Sequence, residues 1–242
     1  TGHGKSTTLS ACLVKLNSPE RNILTVEDPV EYQIPGINQV QVNAKIELSF
    51  ARALRSFLRQ NPDVIMVGEI RDRETAEIAI NASLTGHLVM STLHTNEAAG
   101  APTRLIDMGV EPFLVASSLL GIVNQRLIRK VCLKCREPHV PNEVERNEMD
   151  LDLSQAGGAT MFKAKGCGSC SHSGYSGRTV IHELMIVDEE VRTQIIRKAD
   201  AGTLKKVAIE RGMITLREDG VTKVIQGLTT IDELMRVTHS EG

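Results

Sequence analysis

The chain has 242 residues, with 28 lysines and arginines against 30 aspartates and glutamates, a formal charge of −2, and 41% hydrophobic residues. That composition can bury a sizeable core and excludes a disordered chain. Six aromatic side chains, no tryptophan and no basic surplus exclude the stacking platform and positive field of a general nucleic-acid binder. No apolar run approaches the roughly 18 residues of a membrane span, and no charged-then-apolar leader opens the chain, so a soluble, cytoplasmic protein is expected.

In chain order, residues 1–7 (TGHGKST) read as the second half of a phosphate-binding motif, G-x-x-x-x-G-K-[ST]. The first glycine of that motif would fall two residues before Thr1, so the chain is expected to be a fragment that opens inside the motif. A helix is predicted over 6–16. A strand over 22–27 ends in acids and is stopped by Pro29. A helix over 49–59 carries Arg52, Arg55 and Arg59 and ends at Asn61-Pro62. The apolar run 63–68 predicts a strand buried on both faces. A helix follows over 72–84, a further buried strand over 87–93, and a helix over 96–108 closed by Gly109. Short strands alternating with helices predict an α/β fold with a parallel sheet.

The character changes at 128–132. Residues 132–170 are polar and irregular, with Pro138, Pro141 and a glycine-rich stretch over 155–160. Helices are predicted over 188–198, 203–211, 215–226 and 230–237, with Asp188, Thr203 and Thr230 as N-caps and Gly212 and Gly227 just past helix ends. Three parts are expected: an ATPase-type core over 1–130, a cysteine-bearing subdomain over 131–175, and a helical subdomain over 176–242.

Backbone amides at the start of the first helix, including those of Gly2 and Gly4, suit phosphate oxygens. Lys5 would add a cation to them, and Ser6, with Thr7 beside it, a hydroxyl for Mg²⁺. Hydrolysis of a nucleoside triphosphate further needs one carboxylate for Mg²⁺ and one to orient the attacking water. Two candidates sit at strand ends, where an open α/β sheet presents its ligand crevice: Glu27-Asp28, which begins 22 residues beyond Lys5, and Glu69. Glu27 is the preferred general base, with Glu69 reaching Mg²⁺ through water. The reverse assignment stays open.

Cys132-x-x-Cys135 and Cys167-x-x-Cys170 are separated by 31 residues. Two short-spaced pairs can close a tetrahedral structural Zn²⁺ site, with no open position for water. A redox dithiol is the rival reading. His139 and His172 lie nearby but are not needed. Cys12 is expected to be a small core residue.

Residues 25–31 (TVEDPVE), 54–72 (LRSFLRQNPDVIMVGEIRD) and 85–95 (TGHLVMSTLHT) resemble the Asp box, the atypical Walker B and the His box of the type II secretion and type IV pilus assembly ATPases. The type II secretion group is the nearer of the two. Gly174-Tyr175-Ser176-Gly177-Arg178 matches a turn of the same family, and its members carry a tetracysteine subdomain here. Retraction ATPases of the superfamily resemble the chain only as far as the His box. The resemblance implies a RecA-like P-loop core, with ATP, Mg²⁺ and Zn²⁺ as cofactors. It implies that His94 contacts the γ-phosphate region with His87 supporting the loop, and that Arg55, Arg59 and Arg71 tie nucleotide state to neighbouring domains or subunits. The arginines of 49–59 also fit one solvated helix face. The implied function is ATP hydrolysis that powers pseudopilus assembly and protein export, with pilus extension as the alternative. The implied assembly is a homo-oligomer, a hexamer, held at the inner membrane by platform proteins, with neither membrane insertion nor nucleic acid.

Overall fold

The computed structural model describes residues 2–149 and 160–238. The glycine-rich stretch 155–160 lies, up to residue 159, outside the described residues. The chain divides into two compact units: one of residues 4–122 and 185–211, the other of 1–3, 123–184 and 212–242.

The first unit is built on a four-stranded sheet of order β2-β1-β3-β4, formed by β1 (Ile23–Glu27), β2 (Asn38–Gln41), β3 (Val64–Val67) and β4 (Leu88–Ser91). All three pairings are parallel. Side chains alternate across a strand, and both faces are covered. Leu24, Val26, Ile65 and Val67 meet Phe50, Ala53, Leu54 and Phe57 of α2 (Phe50–Phe57) and Ala79 and Ala82 of α3 (Arg73–Leu84). Ile23, Val64 and Met66 face the other way, toward Leu13 of α1 (Lys5–Leu16) and Ile34. Every residue of β1 and β3 is therefore buried.

The expected burial of the strand near residue 90 is corrected. β4 is half-exposed, because it is the edge of the sheet among the described residues. Cys12 is also exposed rather than in the core, since only Leu13 of α1 is buried. α4 (Gly100–Asp107) starts four residues later than expected, after a turn in which Gly100 N–H donates to Glu97 O. α5 (Pro112–Ser118) has Pro112 in its first turn, where a missing N–H costs nothing.

Two later helices belong to this unit. α7 (Glu189–Ile196) is capped by Asp188 as expected. α8 (Ala201–Glu210) is capped by Asp200, which accepts from Thr203 N–H; Thr203 is the third residue of the helix and not its cap.

The second unit contains the two-stranded sheet of β5 (Gly121–Val131) and β8 (Tyr175–Ile186), whose ends at 121–122 and 185–186 fall in the first unit. β6 (Arg136–His139) pairs antiparallel with β7 (Met161–Ala164). Three helices follow the same core: α6 (Glu143–Met149), α9 (Leu216–Ile225) and α10 (Ile231–Thr238). Ile128, Met149, Met161, Ile181, Val224 and Leu234 pack together. The segment expected to be irregular thus contains β6, α6 and β7, and Tyr175 to Arg178, expected as a turn, already run in β8. Thr230 accepts from Glu233 N–H, as an N-cap should.

Candidate functional site

α1, which opens the first unit, and the ends of β1 and β3 carry the residues singled out in the sequence. Gly4 caps α1 in a left-handed conformation (φ 77°), which a side chain would disfavour, and Thr8 N–H donates to its carbonyl at 3.0 Å. Gly2 also has positive φ, 85°. Lys5 is half-buried, while Ser6 and Thr7 are exposed.

Glu27 closes β1 and is 9% exposed. Its Oε1 accepts from Thr25 Oγ1 at 2.7 Å and from Gln39 Nε2 at 2.9 Å. Val26 pairs with Val67, so Glu27 lies beside Gly68, and Glu69 is one residue further along. A side chain at Gly68 would be tight: a Cβ would sit 3.3 Å from both Glu27 Cα and Val26 O. Its N–H donates to Val26 O at 2.8 Å.

Glu69 has a different environment. Its Oε2 accepts from Arg71 Nε at 2.7 Å, and its Oε1 lies 2.7 Å from His94 Nε2. Arg71 also stands 3.6 Å from Asp28. The hydrogen bond and charge of Glu69 raise the Arg71 pKa above its usual value. The arrangement is a chain of polar contacts, Asp28–Arg71–Glu69–His94, along the carboxyl edge of β1, β3 and β4. It brings together four residues singled out in the sequence.

Others of that set stand apart from this chain. Arg55 pairs with Glu74 of α3, and Arg59 Nη1 donates to Arg55 O at 2.6 Å. His87 Nδ1 lies 2.8 Å from Ala82 O and 3.1 Å from Thr85 Oγ1, which places it on the last turn of α3. Three residues around Glu27 were not foreseen. Thr25 was legible two positions upstream on the same face of the strand. Gln39 depends on the pairing of β2 with β1, and Gly68 on the approach of two backbones.

The second unit holds the two cysteine pairs. One ligand atom from each of Cys132, Cys135, Cys167 and Cys170 lies within 4.8 Å of every other. Thiolates about 2.3 Å from a zinc ion form a tetrahedron with edges of about 3.8 Å. Cys135–Cys170 and Cys167–Cys170 both measure 3.8 Å, so the set fits the ion. Cys170 Sγ accepts N–H bonds from Cys167 (3.2 Å) and Gly174 (3.3 Å). Those amides, Cys167 first, lower its pKa to about 6. Burial pushes the Cys135 thiol up to about 12. Gly166 (φ 99°) permits the turn, since a Cβ there would lie 2.6 Å from His172 O. His139 is engaged elsewhere, with Glu145 at 2.8 Å.

The chain matches the family described as Type II/IV secretion system protein over residues 1–236. It is 55% identical to the Type II secretion system ATPase E of Vibrio cholerae serotype O1 over 98% of this chain and 47% of that protein. It is 52% identical to the Type IV pilus assembly ATPase PilB of Thermus thermophilus over 98% of this chain and 27% of that protein. The solved pilus retraction motor PilT with bound ADP is 30% identical with a TM-score of 0.71, covering 98% of this chain and 58% of that one. Likeness to a retraction motor therefore extends past the His box, where sequence resemblance was expected to end. The chain spans about half the length of the type II secretion relatives it matches. With its parallel sheet, its paired strand-end acids and this match over nearly every residue, the chain belongs to the type II/IV secretion system protein family.

Proposed function

We propose that this chain carries the catalytic part of an ATPase that powers a type II protein secretion system, driving pseudopilus assembly and export across the outer membrane. The observation that supports this most is the pair of carboxylates at neighbouring strand ends, Glu27 and Glu69, in unlike surroundings. Glu27 is held by two neutral donors, which leaves it the role of orienting and deprotonating the attacking water. Glu69, bonded to Arg71 and His94, takes the role of balancing metal and γ-phosphate charge. Gly2, Gly4, Lys5, Ser6 and Thr7 bind the phosphates, with Asp28 holding Arg71 in line. Ser6 and Glu69, with Glu27 as second choice, supply the hard oxygen donors that suit Mg²⁺, which when bound neutralises charge developing on the β- and γ-oxygens.

His94 senses the γ-phosphate, and His87 keeps the turn before β4 in place. Arg55 on α2 and Arg59 just past its end are both exposed and link nucleotide state to neighbouring subunits or domains. The four cysteines hold a structural Zn²⁺, which when bound cross-links the two turns. The three-part division at 130 and 175, a hexameric assembly, a cytoplasmic location and attachment to the inner membrane through platform proteins complete the reading. None of the described helices is long and apolar enough to cross a membrane.

The test is ATP turnover by the full-length protein with Glu27→Gln and Glu69→Gln. Each is expected to lower kcat by about a hundredfold or more; turnover within about twofold of wild type in both would overturn the assignment. The likeness to a pilus assembly ATPase at 52% identity favours a second reading, pilus extension. Loss of secretion with intact piliation on deleting the gene supports the first reading, and the reverse supports the second.

A further inference from the structure

Gln39 hydrogen-bonds both Glu27 and the segment following it. Its Nε2 donates to Glu27 Oε1 at 2.9 Å and to Tyr32 O at 2.9 Å, and its Oε1 accepts from Ile34 N–H at 2.7 Å. Both amide hydrogens are thereby used, one on the carboxylate and one on the loop. With Thr25 on the same Oε1 at 2.7 Å, the carboxylate is fixed from one side, and no hydrogen bond to Oε2 is found among the described residues.

The loop has a second fastening. Asn17, the residue that caps the end of α1, donates through Nδ2 to Pro35 O at 2.8 Å. Gly36, at φ +85°, lies against the same amide: a Cβ there would stand 3.1 Å from Asn17 Nδ2. Residues 28–37 are thus tied at one point to the far end of the phosphate-loop helix, and at another to the side chain that orients the acid.

We propose that Gln39 is a positioning residue for hydrolysis, one that sets the Glu27 carboxylate and makes its orientation depend on the conformation of residues 28–37. The inference rests on the reading of Glu27 as the acid that handles the attacking water. A carboxylate held through one oxygen can pivot about that contact. Loss of the Gln39 donor removes one of two restraints, while a shift of Tyr32 or Ile34 moves the restraint itself. Misplacement of a reacting group by an ångström costs up to about a hundredfold in rate.

The experiment uses the full-length protein with Gln39→Ala, the nearly isosteric Gln39→Glu, Gly36→Ala and Glu27→Gln. It reads kcat for ATP, and separately the Kd of a non-hydrolysable ATP analogue. Gln39→Ala and Gln39→Glu are expected to lower kcat by about 10- to 100-fold with Kd changed by less than about twofold. Combined with Glu27→Gln, Gln39→Ala should cost nothing further, because it acts through that carboxylate. Gly36→Ala should lower kcat alone but not on top of Gln39→Ala. If Gln39→Ala fails to fold, Gln39→Glu carries the test, since it keeps the side chain's size.

Unchanged kcat in both Gln39 variants, or a full additive loss on Glu27→Gln, overturns the proposal and leaves Glu27 in its role. Wild-type turnover by Glu27→Gln instead removes the role of Glu27, and the proposal with it.

Discussion

Replacing Glu233 by Gln tests the energetics of the second unit in one step. The Glu233 side chain, on α10, is fully buried, and its two oxygens accept five hydrogen bonds. Arg129 of β5 supplies three of them, from its backbone N–H (3.0 Å), Nε (3.0 Å) and Nη2 (2.6 Å). Arg236 supplies two, from Nε (2.8 Å) and Nη2 (2.7 Å). Arg129 also stacks 4.0 Å over the Tyr175 ring.

Burial by itself would push this carboxyl up. The hydrogen bonds from Arg236 and then Arg129 outweigh it and hold the pKa at about 2, against an ordinary 4.5. At about 1.4 kcal/mol per unit this is worth about 3 kcal/mol. Both guanidinium groups are roughly half exposed, with side-chain exposures of 43% and 57%, so screening brings the expected figure to about 2 kcal/mol. The pKa is depressed on folding, so the stabilisation is complete above pH 4.5 and is lost as pH falls toward 2.

Urea unfolding followed by circular dichroism should therefore place Glu233→Gln about 2 kcal/mol below wild type at pH 7, a fall in Tm of about 4–8 °C. The gap should shrink at pH 3 and close near pH 2, where the wild-type carboxyl is itself neutral. Thiolate protonation affects both proteins alike and cancels in the difference. A gap under about 0.5 kcal/mol at pH 7, or one that does not narrow in acid, refutes the reasoning.

Three further outcomes can be checked. Gly68→Ala sets a methyl group 3.3 Å from the backbone of Glu27 and Val26, and neither can move without disturbing β1. Steady-state assays should show kcat lowered by about tenfold or more with nucleotide binding retained. Elemental analysis should find one zinc per chain, and chelation should lower the Tm, because metal binding to such sites is coupled to folding. Cys170→Ser, which removes the thiol that accepts two backbone N–H bonds, should reduce the zinc content below half.

What the sequence revealed followed local patterning. β1 and β3 are apolar runs or end in acids, and Asp188 and Thr230 are caps whose side chains act within three residues. The cysteine pairs carry their own spacing. Longer-range features were hidden. β5 contains Arg126, Arg129 and Lys130, and β8 is interrupted by Gly177 and carries the buried Glu183, so neither shows a clean alternation. Glu183 is tolerated because Asn124 Nδ2 (3.1 Å) and Leu216 N–H (3.4 Å) reach it from 59 and 33 residues away. Gly202 masked the first turn of α8. At the acids, the types and positions of Glu27 and Glu69 were legible, but the partner that holds Glu27 was not. Gln39 belongs to β2, a four-residue strand with no buried position to announce it.

The way the chain is shared between the two units bears on how it can be dissected. The backbone passes from one to the other after residues 3, 122, 184 and 211. A cut at 122, the natural choice for isolating the phosphate loop with its acids, would discard α7 and α8. α5 packs against α7, so the cut would uncover the side of α5 that α7 shields and remove the buried Val191 and Ile195 with α7. Exposed apolar surface of that kind promotes aggregation, which makes inactivity in such a truncated piece uninformative about the chemistry. A sound minimal fragment must keep residues 185–211, by permutation or by a short linker across the excised stretch.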